Sequence, residues 1–293
     1  MEQTILTRQN EDANIKKLCA QKQIYIIAKR IFMLQIILTV PVTILLALAK
    51  LVLMVVFKWD ISAYVVIYGV AVTLSDLFLI TPLISETKKD GAKIQELFDC
   101  SVYDLEWSKI FIGKKPAQEI INKNSRIFRK RYKDLSKLYN WYPVEVAAHA
   151  PLKAIVLCQK TNLNYDSSLR KAFLNRVIIV ELSALILLFL FGLGQQYSLK
   201  EFFTQLGASF LPIFVLSVKI IMEQRKTLKG SDELKGSIES VLEHEDKITT
   251  KEIRSVQDRI YVSRKDSALI PEFFYDKLRS RLEEEMHENA ANY

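Results

Sequence analysis

The sequence contains few of the residues from which metal and catalytic sites are usually built. Its 293 residues include three histidines and three cysteines. The cysteines, Cys19, Cys100 and Cys158, are odd in number and widely spaced, which fits neither a disulfide framework nor a zinc-binding motif. The histidines are equally isolated along the chain. We therefore expect no bound metal.

Glycine is also scarce, with eight residues in the whole chain. No G-x-x-x-x-G-K or G-x-G-x-x-G segment is present to hold the phosphates of a nucleotide cofactor. The G-x-S-x-G turn that carries a hydrolase nucleophile is missing as well. We therefore expect that the protein is not an enzyme and needs no cofactor.

The sequence does contain four long apolar blocks. Each is about 20 residues or longer, which is enough to cross the ~30 Å hydrocarbon core of a bilayer as an α-helix. The blocks are residues 31–57, 61–84, 174–194 and 202–222. Three residues separate the first two blocks and seven separate the last two, so each pair is expected to form a helical hairpin. The first block is too long for a cleavable signal peptide, and we expect it to be retained.

The distribution of Lys and Arg predicts the orientation of the chain. The leader 1–30 carries six of these residues, the stretch 86–176 carries eighteen and the tail 223–293 carries thirteen. Each hairpin connection carries only one. By the positive-inside rule, the leader, the central region and the tail all face the cytoplasm. The sequence thus predicts a multi-pass membrane protein with both termini in the cytoplasm.

The fold class that follows is an all-α polytopic membrane protein with four transmembrane helices in two hairpins. Helical spacing of apolar residues outside the blocks predicts one helical cytoplasmic domain, assembled from leader, central loop and tail. The predicted order is a leader (1–30), a first hairpin (31–85), a cytoplasmic insert (86–173), a second hairpin (174–222) and a tail (223–293).

Positive charge is concentrated on the cytoplasmic side. The leader carries a net +3 (6 minus 3), residues 86–176 a net +8 (18 minus 10) and the tail a net −3 (13 minus 16). This excess favours an anionic partner, either nucleotide phosphates or lipid headgroups. Positive-inside topology alone is the competing explanation.

Four ionisable residues, Lys50, Asp76, Glu181 and Lys219, fall inside the apolar blocks. Intramembrane charge is costly and by default indicates function. Lys50 is close enough to the outer end of its span for its ammonium to reach the interface. The other three share one depth near the cytoplasmic side, so Lys219 is expected to pair with Asp76 or Glu181.

A polar stripe follows one face of the second span. Ser62, Gly69, Thr73 and Asp76 are separated by seven, four and three residues. Such a stripe lines a wet path or forms a close packing seam, and we keep both readings. The candidate gating residues are Asp76, Glu181, Lys219 and Thr73. Four helices are too few to enclose a pore easily, so a conducting path requires several copies and we expect a homo-oligomer.

Several short motifs occur in a fixed order around the spans. The leader contains QNEDANIKKLCAQKQIYIIAK, and the insert contains LFDCSVYDLEW, WYP at 141–143 and CQKTNLNYDSSLR at 158–170. The tail contains RSVQDRIYVSRKDSALIPEFFYDKLR. In these motifs and their placement, the whole chain resembles the SMODS-associated four-transmembrane effectors of bacterial anti-phage operons.

This resemblance implies an effector encoded beside a nucleotidyltransferase that makes a cyclic oligonucleotide during infection. The expected partners are a cyclic di- or oligonucleotide ligand, the lipid bilayer and a functionally linked nucleotidyltransferase, with no DNA or RNA polymer. The effector is expected to sense the ligand through its cytoplasmic part and to permeabilise the inner membrane, which causes abortive infection. The alternative is a membrane-anchored scaffold that recruits a soluble partner through its cytoplasmic helices.

Polar side chains beside the third span, and others in the tail, are candidates for ligand contact. Arginine and lysine pair with phosphate, tyrosine stacks on a base, and asparagine or aspartate bonds base edges. The candidates are Lys160, Asn162, Tyr165, Asp166, Arg170, Arg254, Tyr261 and Arg264. A competing interpretation is structural: Asp166 pairs with Arg170 four residues on and also caps a helix, and the asparagines make a turn.

Overall fold

The computed structural model describes residues 4–244, 247–275 and 277–278. Within these residues every regular element is a helix, which confirms the all-α fold class. The α-helices are α1 (Ile5–Arg8), α2 (Asp12–Thr39), α3 (Pro41–Val52), α4 (Ser62–Ser75), α5 (Thr81–Tyr103), α6 (Gln118–Arg131), α7 (Pro151–Gly194), α8 (Leu199–Glu201), α9 (Ala208–Leu242) and α10 (Thr250–Asp266). Residues 272–275 and 277–278 are also helical.

Three π-helical segments and two short 3₁₀ turns complete the described elements. The π segments are Leu53–Phe57, Asp76–Ile80 and Phe202–Gly207, and the 3₁₀ turns are Ser136–Leu138 and Val144–Ala148. All three π segments lie within the predicted hairpins. A π segment replaces the regular i→i+4 ladder by i→i+5 bonds and is frequent at functional sites.

The chain divides into two compact units. Unit 1 comprises Met1–Lys29, Ser85–Lys171 and Lys226–Tyr293, and unit 2 comprises Arg30–Ile84 and Ala172–Arg225. Each unit is therefore assembled from segments distant in sequence.

Four helical stretches are long and apolar enough to cross a membrane. They are Asp12–Phe57, Ser62–Tyr103, Pro151–Gly194 and Leu199–Leu242. The prediction of four spanning helices is thereby confirmed. Proline shapes the first stretch: α3 starts with Pro41, whose missing N–H is harmless in the first turn of a helix. Tyr68 of the second stretch donates its hydroxyl to the carbonyl of Leu38 at 2.6 Å, just before this interruption.

The second hairpin connection ends in a reciprocal cap. Ser198 Oγ accepts from the backbone N–H of Glu201 at 3.3 Å, and the Glu201 carboxylate accepts from the Ser198 backbone at 2.8 Å. This capping box satisfies two backbone donors at the start of the helix. The turn in the first hairpin reverses at Lys58, which has a left-handed φ of 59°.

Unit 1 has one main hydrophobic core to which all three of its chain segments contribute. Leu18 comes from the leader, Phe98 and Val156 from the insert, and Ile238 and Ile253 from the tail. All five side chains are fully buried, with 0% exposure. One core therefore holds leader, insert and tail together.

A reciprocal cap also opens the tail helix α10. Thr249 precedes α10 and its hydroxyl accepts from the backbone N–H of Glu252 at 3.3 Å. The Glu252 carboxylate accepts in return from the Thr249 backbone at 2.9 Å. The first turn of α10 is thus fixed by its own sequence.

The stretch 158–173 does not contain the turn that its asparagines suggested. It lies inside α7, and Asp166 is an interior residue rather than a helix cap. The helix continues because Leu163, Leu169 and Phe173 are buried and hold the segment by tertiary packing. The other half of the structural reading is correct, since Asp166 Oδ2 accepts from Arg170 Nε at 2.6 Å.

Candidate functional site

An ion pair lies inside the apolar part of unit 2. Lys219 Nζ is 2.9 and 2.8 Å from the two carboxylate oxygens of Asp76. The Thr81 hydroxyl donates to Asp76 Oδ1 at 2.8 Å and also contacts Lys219 Nζ. Gln35 Nε2 donates a further hydrogen bond to the same carboxylate. Of the two partners expected for Lys219, the structure selects Asp76.

Glu181 stands apart from this pair. It is half-buried on α7, and within the described residues no ion pair or hydrogen bond joins its carboxylate to another side chain. The four predicted gating residues therefore do not form one cluster.

The polar stripe of the second span is mainly a packing seam in its middle. A Cβ added to Gly69 would lie 2.7 Å from Pro212 Cγ, so the glycine allows close approach of two helices. The Thr73 hydroxyl donates to the carbonyl of Gly69 in its own helix at 2.8 Å. Thr73 and Gly69 thus support packing, whereas Asp76 takes part in an ionic cluster.

A second polar stripe, which the sequence reading missed, lies on the first span. Gln35, Thr39, Thr43 and Lys50 are each at most 4% exposed. Their separations of four, four and seven residues place them on one helix face. Thr43 Oγ1 is buried and has no hydrogen-bond partner among the described residues. The spacing argument used for the second span would have found this stripe.

Lys50 does not extend to an interface, contrary to expectation. Its side chain is 2% exposed, and its Nζ donates to the carbonyl of Gln205 at 3.1 Å and contacts Ser209 Oγ at 3.4 Å. Gln205 belongs to the π segment Phe202–Gly207, which alters the regular hydrogen-bond ladder around this carbonyl. The ammonium is thereby held inside the bundle by two neutral acceptors. We call Gln35, Thr39, Thr43, Lys50 and the Asp76–Lys219 pair the polar seam.

In unit 1, Arg254 is clamped between two carboxylates. Its Nη2 is 2.7 Å from Glu96 Oε1 and 2.8 Å from Asp258 Oδ1. Its Nη1 contacts Cys100 Sγ at 3.4 Å. The Glu96 side chain is fully buried, so this arginine neutralises a charge inside the core.

Asp99 forms the second centre of this buried network. The Tyr142 hydroxyl donates to Asp99 Oδ1 at 2.5 Å, and Arg264 Nη1 binds Asp99 Oδ2. Gln257 Nε2 donates to Asp99 Oδ2 and to Glu96 Oε2, each at 2.8 Å, and so links the two centres. The network joins the insert motifs around LFD and WYP to the tail motif.

Burial and the neighbouring charges together set the pKa values of these groups. Burial raises the pKa of Glu96, and the nearby Asp99 raises that pKa further, while Arg254 opposes the shift. Burial also raises the pKa of the Cys100 thiol to about 12. Although burial alone would lower the pKa of Arg264, the charge of Asp99 raises it well above its ordinary value. Both predicted tail arginines are thus paired with carboxylates inside unit 1.

Tyr261, the third tail candidate, is a core residue. Its ring is 2% exposed and packs with Ala92 and Ile112. In this arrangement the ring cannot stack on a base.

The candidates on α7 occupy a different environment. Lys160 Nζ is 3.8 Å from Glu239 Oε1, and the Tyr165 ring lies 6.2 Å from the Tyr275 ring, centroid to centroid. Asn162 Nδ2 is buried with no hydrogen-bond partner among the described residues. These three side chains are half-buried.

Arg170 is the most buried of the α7 candidates. Besides pairing with Asp166, its Nη1 donates to the carbonyl of Ala268 at 2.6 Å. The Ala268 backbone N–H in turn bonds Thr227 Oγ1 at 3.1 Å. The arginine therefore fastens the segment after α10 to α7.

Comparison with known proteins gives consistent matches. Residues 3–293 match the family described as the SMODS-associating 4TM effector domain. A probable CBASS effector molecule of Bacillus cereus (strain VD146) is 30% identical over 200 residues, which is 67% of this chain and 66% of that relative. The match thus spans just under two thirds of the relative's length. No solved structure matches the chain.

Proposed function

The chain belongs to the SMODS-associating 4TM effector family, and from this premise we propose that it is a membrane effector of bacterial anti-phage defence. It senses a cyclic di- or oligonucleotide through unit 1 and permeabilises the inner membrane through unit 2. The relative described as a probable CBASS effector supports the defence role. A nucleotidyltransferase that makes the signal is the expected functional partner.

The polar seam of unit 2 is the observation that carries permeabilisation. Lipid-embedded helices gain nothing from burying an ammonium, and ionisable groups inside spans commonly mark ion or proton paths. Lys50 is 2% exposed and bonds only neutral acceptors among the described residues. Thr43 lies on the first span between Lys50 and Gln35, which contacts the Asp76–Lys219 pair. Its buried hydroxyl has no hydrogen-bond partner among the described residues. Rearranged side chains along this seam would open a hydrated path.

Helix continuity supports the coupling of sensing to permeabilisation. Helices α2, α5, α7 and α9 each contain residues of both units. A ligand that shifts one of these helices in unit 1 would move its continuation in unit 2, because packed helices move as rigid elements. Among the candidate contacts, a phosphate that reached Arg254 or Arg264 would have to displace a carboxylate. On α7, Lys160 would likewise have to leave Glu239, which is 3.8 Å from its Nζ, whereas Asn162 is a neutral candidate.

Several copies are proposed to act together. The apolar window of the third span is 6% buried, against 17–22% for the other three. Lipid or a neighbouring copy therefore covers almost all of this apolar window. Chemical crosslinking of the full chain in vesicles tests assembly, and a strictly monomeric chain under leaking conditions would contradict this part.

Dye release from liposomes tests the proposed activity. Purified full chain would be reconstituted into dye-loaded vesicles and exposed to a panel of cyclic di- and trinucleotides. We expect release with at least one of them, and much slower release from matched vesicles carrying Asp76→Asn. Absence of release under every nucleotide would overturn permeabilisation and favour the membrane-anchored scaffold instead.

The proposed topology places unit 1 and both termini in the cytoplasm, following the Lys and Arg counts. Protease added to intact cells should leave unit 1 uncut, and the same protease should cut it after the cells are broken. Cleavage of unit 1 on intact cells would reverse the orientation.

A further inference from the structure

Three lysines line a surface cavity of unit 1. Lys93 lies on α5, and Lys114 and Lys115 lie in the segment before α6. The cavity has a volume of about 270 Å³. Among the described residues none of the three ammonium groups has a carboxylate within ion-pair distance. With Asp90 as the one acidic residue of the lining, the cavity carries a net +2 (3 minus 1).

The segment that carries two of these lysines is held in place by local contacts. Trp107 Nε1 donates to the carbonyl of Gly113 at 2.8 Å. Gly113 has a φ of 77°, which closes a turn that other residues adopt only with strain. Ile112 beside it is buried in the core, and Lys115 Nζ lies 6.0 Å from the centre of the Trp107 ring. The lysines are therefore presented by a fixed turn.

The chemistry of the lining suits a phosphate group. The side chains of Lys93, Lys114 and Lys115 each supply several donors to phosphate oxygens, and an anion bound in the cavity would be attracted by all three positive charges. Ile94 and Ile120 add an apolar wall against which a sugar or base can pack. The volume is just below the ~300–1,000 Å³ of ordinary ligand pockets, so it fits one phosphate with its sugar.

Asp90 gives the cavity a means of selection. A carboxylate repels phosphate but accepts hydrogen bonds from a hydroxyl or an amine. A nucleotide carries such groups on its ribose and base, away from the phosphate charge, whereas the only hydroxyls of an inorganic phosphate are on the anion that the carboxylate repels. The mixed lining of three lysines and one aspartate therefore matches a nucleotide better than a bare polyphosphate.

We propose that this cavity binds one phosphate of a nucleotide, with Lys93, Lys114 and Lys115 on the phosphate and Asp90 on a ribose hydroxyl or base amine. The inference rests on the proposed function and locates within unit 1 a place where the signal is held. It adds a set of contacts distinct from the candidates on α7 and α10.

Binding of pyrophosphate to the full chain, in nanodiscs of phosphatidylcholine alone, tests the phosphate site. Calorimetry should show saturable binding. Replacing the three lysines by glutamine should weaken it by at least about tenfold, as expected for lost charge-assisted hydrogen bonds. The matched control replaces Lys130, Lys133 and Lys137, which are exposed on other parts of unit 1. This control removes the same amount of charge as the triple lysine variant. Unsaturable binding, or equal weakening in the control, would overturn the site.

Competition experiments distinguish a nucleotide from a lipid headgroup as the source of the bound phosphate. Cyclic di-AMP or cyclic tri-AMP should displace pyrophosphate, and Asp90→Asn should weaken the nucleotide while it tightens pyrophosphate. Alternatively, phosphatidylglycerol in the nanodisc could abolish pyrophosphate binding while neither nucleotide does. The site would then bind lipid headgroups, and the nucleotide assignment would be wrong. Failure of all competitors would likewise reject a nucleotide ligand.

The same variants keep this inference distinct from the proposed function. If the triple lysine variant still leaks dye at the same nucleotide concentration, the site is wrong while the effector role stands. If pyrophosphate and nucleotides bind at the lysines but no vesicle leaks, the site stands and permeabilisation fails.

Discussion

Neutralising Asp76 should leave the ammonium of Lys219 without a counter-charge inside the apolar part of unit 2. The two side chains are 13% and 26% exposed, so water compensates little of the lost attraction. Breaking a buried pair costs ~3–5 kcal/mol. The Thr81 hydroxyl remains as a neutral acceptor, which favours the lower end of that range. We therefore expect Asp76→Asn to lower the free energy of unfolding by ~3 kcal/mol, a factor of ~100 in the equilibrium constant.

Reversible unfolding of the full chain in mixed micelles, followed by tryptophan fluorescence, measures this change. A double-mutant cycle of Asp76→Asn, Lys219→Gln and the double variant is needed, because only such a cycle isolates the interaction energy of the pair. The double variant should recover much of the loss, since no charge is left unpaired. Glu181→Gln is the control, an intramembrane carboxylate outside the pair, and should change unfolding little. Strictly additive single losses would refute the ion-pair reasoning.

Three further changes test other parts of the structure by the same unfolding assay. Lys50→Met should leave the free energy of unfolding unchanged or raise it by ~1 kcal/mol, because it removes a poorly compensated buried charge. In the dye-release assay the same variant should change the leakage per molecule. Unchanged leakage would show that Lys50 does not line the path. Gly69→Ala should lower the free energy of unfolding by ~1–3 kcal/mol, since the new Cβ would lie 2.7 Å from a proline of the fourth span. The control Gly230→Ala should stabilise the chain, because its new Cβ meets nothing within 4 Å. Equal effects of the two substitutions would contradict the packing seam. Tyr142→Phe should lower the free energy of unfolding by ~1–3 kcal/mol, because the buried Asp99 carboxylate loses a hydrogen-bond donor. The control Tyr139→Phe, at an exposed side chain, should have no measurable effect. If Tyr142→Phe has no effect either, the buried network does not contribute to stability.

The four spans could be predicted because lipid imposes a length and an apolar composition that few other structures require. The partner of Lys219 was narrowed to two carboxylates by depth alone, and side-chain geometry then selected Asp76. The stripe from Gln35 to Lys50 was missed because its polar members are diluted among leucines and isoleucines. Reading each span at helical spacing would have exposed it.

The buried network of unit 1 could not be derived from local sequence. Asp99 is 43 residues from Tyr142 and 158 residues from Gln257 on the tail helix, and only tertiary packing brings them together. The polar motifs looked like ligand contacts because charge and aromatic rings serve binding and internal pairing equally well. Burial distinguishes the two roles, and burial depends on the whole fold.

Accessibility of Thr43 to water tests the central claim most directly. The background from native thiols should be low, because burial raises the pKa of Cys19 and brings that of Cys100 to about 12. Thr43→Cys should resist a charged thiol reagent at rest and react under conditions in which the same vesicles leak dye. Leu45 is 63% exposed in the isolated chain, and we expect its side chain to face lipid, so Leu45→Cys should stay unreactive in both states. If Thr43→Cys stays unlabelled while the vesicles leak, the polar seam is not the path and the account is contradicted.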